Sequence, residues 1–183
     1  MRAVILDRDG TINEDSPAYV KSLAEFRVLP GVPEAIARLT RAGWKVFVAS
    51  NQSGLARGLF DMAALNAMHQ HLEQMVAKAG GQIHAIAFCP HGPEDGCDCR
   101  KPAPGLFHAI AERSGIRLAE SHAVGDSLRD LQAAAQAGCH VHLVRTGNGR
   151  KTERETLPGG TLVHDDLATF TDWLLAQAQD EDR

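Results

Sequence analysis

Short apolar runs alternate with longer amphipathic stretches along this chain. The apolar runs are Ala3–Leu6, Val46–Ala49, Ala85–Phe88, His122–Val124, Val141–Val144 and Leu162–Val163. They are near-continuous rather than alternating, as in parallel strands covered on both faces. Helical periodicity fills 32–42, 61–79, 104–114, 128–137 and 166–178. Pro33 suits the first turn of the first helix and Gly43 its end. Asp61 is placed to cap the second helix, and Gly80-Gly81 to end it. Strand and helix in strict alternation predict an α/β fold with a doubly wound, mainly parallel sheet. Between Leu6 and Val46 there is room for one loop and one helix, and between Ala49 and Cys89 for one helix and one strand. Residues 1–183 are therefore expected to form a single domain. The tail Asp180-Glu181-Asp182-Arg183 is expected to be frayed and solvated.

Composition narrows the function. At 44% hydrophobic and 23% charged residues, the chain is neither disordered nor fibrous. Its 19 Lys+Arg against 23 Asp+Glu give a net charge of -4. That argues against nucleic acid as the main partner, because such binding draws on basic side chains. No apolar run approaches the ~20 residues that cross a bilayer, so no membrane partner is expected. Met1-Arg2-Ala3-Val4-Ile5-Leu6 runs into Asp7 too soon for a signal-peptide core, and the expected location is the cytoplasm. Of four cysteines, Cys89, Cys97 and Cys99 cluster around His91 while Cys139 stands alone. In a reducing compartment the cluster reads as a metal site rather than a disulfide framework.

In open α/β sheets ligands bind beyond the carboxyl ends of the strands, so the residues after each strand carry the chemistry. The first strand leads into Asp7-Arg8-Asp9-Gly10-Thr11. Two carboxylates two residues apart in extended chain point the same way, and ionising both calls for a cation such as Mg2+. The plain alternative is an Asp-rich solvated turn. The second strand leads into Ser50-Asn51-Gln52-Ser53-Gly54, whose hydroxyls, amides and backbone N–H groups can cradle an anion, though such residues also make ordinary turns. After the third come Cys89, His91, Cys97 and Cys99, a three-thiolate, one-imidazole set that suits closed tetrahedral Zn2+. Arg100 and Lys101 follow, a bidentate fork and a point charge respectively, both suited to phosphate. After the fourth come Gly125-Asp126-Ser127-Leu128-Arg129-Asp130. Asp126 is the stronger metal ligand of the two acids and would lie beside the Asp7 strand in the usual strand order. Asp130 reads equally well as an acid favoured by a helix N-terminus.

Other residues read as structural. His69 and His71 are expected to be exposed or at a boundary. His108, His122, His140, His142 and His164 show no ligand spacing with the cysteine cluster. Cys139 reads as a small core residue, and Trp44 and Trp173 as packing.

Taken together, Asp7-x-Asp9-Gly10-Thr11, Ser50-Asn51, Lys101-Pro102 and Gly125-Asp126-x3-Asp130 resemble the haloacid dehalogenase superfamily of aspartyl phosphotransferases. More narrowly, the stretches Leu6–Asn13, Ser50–Gly58 and Cys97–Pro102 are similar to its heptose-1,7-bisphosphate 7-phosphatase family. The resemblance implies a Rossmann-like, capless, Mg2+-dependent phosphatase with a structural Zn2+ loop. It would remove the C7 phosphate of a phosphorylated sugar and leave heptose 1-phosphate for nucleotide-activated heptose and lipopolysaccharide. It assigns Asp7 as nucleophile and Asp9 as general acid/base, with Ser50 and Lys101 holding the phosphoryl group. It assigns Mg2+ to Asp7, the Asp9 carbonyl and Asp126, and Zn2+ to Cys89, His91, Cys97 and Cys99. Substrate contacts fall to Asn51, Gln52, Ser53 and Arg100, and to the loop of Asp15, Ser16, Pro17, Ala18 and Tyr19. The chain departs from the family at Ser127, where a Lys is common, and in a zinc loop shorter than in many relatives.

Three other readings stay open. Histidinol phosphate is a rival substrate, against which the Asn51–Gly58 stretch follows the heptose wording. A phospho-acceptor receiver domain also forms an aspartyl-phosphate but lacks an acid two residues later. A zinc-organised binding module fits poorly with one short metal loop inside a full α/β chain. An open, capless site needs no partner chain, so a monomer is expected.

Overall fold

The computed structural model describes residues 2–181. Its elements are β1 (Ala3–Leu6), α1 (Val32–Arg41), β2 (Lys45–Asn51), α2 (Met62–Lys78), β3 (Ala85–Cys89), α3 (Gly105–Ser114), β4 (Ser121–Gly125), α4 (Leu128–Gln136), β5 (His140–Val144), α5 (Gly149–Thr152), β6 (Leu162–His164) and α6 (Leu167–Glu181). A short 3-10 turn, Leu118–Glu120, precedes β4. The expected tail falls partly within α6, and residues 182–183 lie outside the described residues.

The sheet runs β3-β2-β1-β4-β5-β6, with every pair parallel. Successive side chains of a strand point to opposite faces. Val4, Leu6, Val46, Val48, Val124 and Val144 therefore pack against α1, α2 and α6. Ala3, Ile5, Phe47, Ala49, Ala123 and Leu143 pack against α3 and α4. Both faces are covered, which is why the strands read as unbroken apolar runs. Strand order reverses between β1 and β4, and the crevice at that reversal is where ligands bind in such sheets.

The helix punctuation acts as its chemistry requires. Pro33 sits in the first turn of α1. The Asp61 carboxylate accepts the Ala64 N–H at 2.9 Å. A Cβ on Gly81 would lie 2.7 Å from the Ala37 Cα, so glycine there lets α1 and the end of α2 meet closely.

The structure departs from the pattern in three places. Helix α5 lies in the polar stretch after β5 and has no apolar periodicity. It forms because tertiary contacts select it: Thr152 is buried and its Oγ1 donates to the Asp126 carbonyl at 2.8 Å. His69 is not a boundary residue; it is 8% exposed and faces the core. Finally, His122, His142 and His164 line up across β4, β5 and β6. His122 Nδ1 lies 2.9 Å from His142 Nε2, and His142 Nδ1 lies 3.1 Å from His164 Nε2. Phe170 and Trp173 cover this row from α6. The rings form a line rather than converging on one point.

Candidate active site

The crevice between β1 and β4 gathers four carboxylates and one ammonium. Asp7 follows β1, and its N–H donates to the Val124 carbonyl of β4 at 2.9 Å. Lys101, 2% exposed, donates to Asp7 Oδ1 at 2.7 Å and to the Ala49 carbonyl at 2.8 Å. It also pairs with Asp130 Oδ1 at 2.7 Å. A buried ammonium is tolerable only with such partners. Burial opposes its charge, but Asp130 and Asp7 more than compensate and hold Lys101 above the usual lysine range.

Asp130 has two tasks. Its Oδ1 holds Lys101, while Oδ2 accepts from the Ser127 N–H at 3.0 Å and the Ser127 hydroxyl at 2.7 Å. Ser127 thus starts α4 by bonding Asp130, and both Asp130 oxygens are engaged. Although burial works against its charge, Lys101 and then Ser127 hold its carboxyl below the usual range.

Asp126 is held differently. Its Oδ2 accepts the Asn148 N–H at 2.7 Å. A Cβ on Gly10 would lie 2.0 Å from that oxygen and one on Gly147 2.2 Å from it. Thr146 Oγ1 donates to the Gly10 carbonyl at 2.7 Å, tying the loop after β5 to the loop after β1. Ligand oxygens of Asp7, Asp126 and Asp130 lie within 4.8 Å of one another. Burial first, then Asp7 and Asp130, push Asp126 up to about 9. Burial and Asp130, partly offset by Lys101, push Asp7 up to about 7. Two buried acids that resist ionising, with hard oxygen donors turned to one point, fit a divalent cation such as Mg2+.

Asp9 sits at the mouth. Its Oδ1 accepts from Asn13 Nδ2 at 2.9 Å and from Arg8 at 2.7 and 3.2 Å. Its Oδ2 accepts from Gln52 Nε2 at 2.9 Å, and the same nitrogen donates to Ser50 Oγ at 2.8 Å. Gln52 therefore links the predicted acid/base to the predicted phosphoryl-holding hydroxyl. Asn51 borders the cavity above Asp9, and its amide exchanges bonds of 3.0 and 3.1 Å with the Lys101 backbone. It fixes the loop that carries Lys101.

A cavity of about 220 Å³ opens above Asp9, lined by Asp15, Ser16, Tyr19, Gln52, Arg100 and Arg129 among others. Tyr19 adopts φ 66°, an uncommon conformation for a residue with a Cβ, and Arg57 lies 5.8 Å from its ring centre. Asp15 is held by Asn148 Nδ2 at 3.2 Å.

The predicted sulfur cluster also assembles. Cys89 ends β3 and its Sγ lies 3.0 Å from Cys99, 3.6 Å from Cys97 and 3.6 Å from His91 Nδ1. His91 Nδ1 lies 3.4 Å from Cys99. Tetrahedral Zn–S bonds of about 2.3 Å place sulfurs roughly 3.7 Å apart, so the four atoms fit Zn2+. Burial opposes ionisation at Cys97, but the Arg100 N–H and the neighbouring ligand atoms bring its thiol down to about 7. Burial, Cys89 and Cys97 push Cys99 up to about 12. The Cys89 carbonyl accepts the Gln52 N–H at 2.8 Å, which couples this loop to the Ser50 loop.

The site brings together all the predicted catalytic and metal residues. Arg8, His69, Arg129, Gly147 and Asn148 are additions. Arg129 had a usable signal, one residue before Asp130 in the last motif; Gly147 and Asn148 had none beyond a turn-like Thr-Gly-Asn-Gly.

This topology and site define a haloacid dehalogenase-like hydrolase, and a family model described as HAD-hydrolase-like matches residues 98–170. The D-glycero-β-D-manno-heptose-1,7-bisphosphate 7-phosphatase of Bordetella bronchiseptica is 59% identical over 97% of this chain and 100% of its own length. That of Pseudomonas aeruginosa is 53% identical over 94% of this chain and 97% of its own. The chain belongs to the D-glycero-β-D-manno-heptose-1,7-bisphosphate 7-phosphatase family. The solved structure of the B. bronchiseptica D,D-heptose 1,7-bisphosphate phosphatase, complexed with magnesium and phosphate, superposes with a TM-score of 0.94 at 58% identity, covering 97% of this chain and 99% of that one.

Proposed function

We propose that this chain removes the C7 phosphate of D-glycero-β-D-manno-heptose 1,7-bisphosphate and leaves heptose 1-phosphate, a precursor of nucleotide-activated heptose for lipopolysaccharide. The observation that carries the reading is the pairing of a lysine-held Asp7 with Asp9 two residues on, in a chain with full-length kinship to phosphatases of that name. A phospho-acceptor receiver has no use for the second acid. Histidinol phosphate has no comparable support, since the relatives above carry the heptose name.

Bound by Asp7, the Asp9 carbonyl and Asp126, Mg2+ supplies positive charge against the phosphate. Asp7 attacks phosphorus, forming a carboxylate-oxygen–phosphorus bond as the bond to the sugar C7 oxygen breaks. Asp9 gives its proton to that oxygen. Asp9 then takes a proton from water, whose oxygen displaces Asp7 from phosphorus. Lys101 and Ser50 hold the equatorial oxygens throughout. Arg100 and Arg129, on the rim of the same cavity, supply cations for the second phosphate. Cys89, His91, Cys97 and Cys99 would hold Zn2+, which would order the loop that presents Arg100 and Lys101. The chain acts as one cytoplasmic, monomeric domain, with neither nucleic acid nor membrane as partner. No helix among the described residues is long and apolar enough to cross a membrane.

The test is kcat/KM in Mg2+ for the β and α anomers of heptose 1,7-bisphosphate and for histidinol phosphate. A preference for the β bisphosphate by at least tenfold is the expected result. A preference for histidinol phosphate overturns the substrate and leaves the Asp7–Asp9 chemistry standing.

A further inference from the structure

Among the described residues, the largest fully buried side chain is a cation, Arg8, at 1% exposure. It lies two residues past β1, against His69 of α2 and Phe26 on the side of the sheet packed with Val4 and Leu6, where an apolar residue would be ordinary. Its guanidinium donates twice to Asp9 Oδ1, from Nη2 at 2.7 Å and Nε at 3.2 Å. Its third contact, through Nη1, is His69 Nε2 of α2 at 3.3 Å. Arginine has no acceptor, so His69 must offer a lone pair at Nε2 and carry its proton on Nδ1. The Phe26 ring, 5.3 Å from the guanidinium carbon, closes another side. Burial first, then Arg8, lower His69 to about 4, which keeps the ring neutral and accepting in the working range.

The two oxygens of Asp9 differ as a result. A carboxylate oxygen has about two lone-pair directions. Oδ1 takes three donors, two from Arg8 and one from Asn13, and is saturated. Oδ2 takes one, from Gln52, and keeps a free direction. We propose that Arg8 and His69 are positioning residues: His69 seats the buried guanidinium, the guanidinium pins Asp9 Oδ1, and Oδ2 is left as the oxygen that exchanges protons with the substrate. A core histidine with only a packing role would not need its acceptor nitrogen turned to an arginine. This inference rests on the acid/base reading of Asp9.

The experiment compares wild type, His69→Leu, His69→Gln and Arg8→Lys as full-length proteins in Mg2+. Leucine removes the acceptor, whereas glutamine restores one near the Nε2 position. Lysine keeps the charge but cannot bond Asp9 twice and reach His69. His69→Leu and Arg8→Lys are expected to lower kcat on heptose 1,7-bisphosphate about 10–100-fold with KM nearly unchanged, the scale of a misplaced catalytic group. His69→Gln is expected to recover most of that loss. On p-nitrophenyl phosphate the two damaging variants are expected to lose far less kcat/KM, because nitrophenolate departs without a proton. A merely structural defect would lower both substrates alike. Unchanged kcat in folded Arg8→Lys or His69→Leu overturns the inference, as does equal loss on both substrates. If His69→Leu does not fold, Arg8→Lys decides alone. Wild type inactive on both substrates would instead count against the phosphatase reading itself.

Discussion

Replacing Gly147 by alanine tests how the structure seats Asp126, the metal ligand proposed above. Gly147 has φ 53°, where a Cβ costs roughly 1–2 kcal/mol. Its added Cβ would lie 2.2 Å from Asp126 Oδ2, 2.5 Å from the Gly10 Cα and 2.9 Å from the Gly10 carbonyl oxygen. Two of those three atoms are backbone, so the strain is not relieved by a flexible side chain. Overpacking of this kind costs about 1–3 kcal/mol. The total of about 2–5 kcal/mol corresponds to a fall in Tm of roughly 5–15 °C for a chain of this size. The oxygen displaced is the one Asn148 holds, so Mg2+ half-saturation of activity should rise about tenfold or more, as when outer support of a ligand is lost. Gly138→Ala is the matched control: φ is 83°, yet nothing lies within 4 Å of its Cβ. It should lose only the backbone share and leave Mg2+ activation unchanged. Thermal unfolding by circular dichroism and Mg2+ titration of phosphate release give both readouts. Equal Tm losses in the two variants, with equal Mg2+ dependence, would refute the reasoning.

Asp7→Asn and Asp9→Asn are each expected to abolish turnover with the circular dichroism spectrum unchanged; near-normal phosphate release in either would remove that residue from its role. Cys97→Ser is expected to lose bound Zn2+, lower Tm and reduce activity through Arg100 and Lys101, with full activity and unchanged Tm as the contrary result. Acid should weaken the fold through the histidine row. Burial first, then neighbouring histidines, lower His122 to about 4 and His142 to about 2, against about 6.5 when unfolded. The folded state binds fewer protons, so the stabilisation is complete above about pH 6.5 and declines as pH falls toward the folded values. Urea unfolding should show a loss on the order of 2–4 kcal/mol between pH 7 and pH 5 from these two groups. His142→Leu should flatten that slope, and an identical slope would show that the row does not cause it.

How much of this was legible in the sequence follows from where each interaction is encoded. The strands were readable because both sheet faces are covered, and Asp61 and Pro33 announced their helices through local chemistry. Asp7, Asp9, Lys101 and Asp126 stood out because each follows a strand, and Ser50 because it lies at the carboxyl end of β2; the parallel sheet brings these strand ends to one edge. Asp130 was ambiguous because it does two things: it bonds Ser127 at the start of α4 and pairs with Lys101 from a different loop. Only the first is local. Helix α5 has no apolar stripe and is selected by Thr152 reaching the Asp126 carbonyl. His69 looked like a boundary residue because its partner, Arg8, lies 61 positions away. Asn51 lines the cavity as expected of a substrate contact, and its second tie, to the Lys101 backbone, joins residues 50 positions apart. The misses are thus long-range polar contacts, which leave no period in the chain.

The central claim is that this protein cleaves one particular phosphate from a doubly phosphorylated heptose. Phosphorus NMR of the reaction with D-glycero-β-D-manno-heptose 1,7-bisphosphate in Mg2+ tests it directly. The C7 phosphate resonance is expected to disappear, inorganic phosphate to grow in equal amount, and the anomeric C1 phosphate to persist. Loss of the C1 phosphate, or an unchanged bisphosphate under conditions where the protein is folded and Mg2+-loaded, would contradict it.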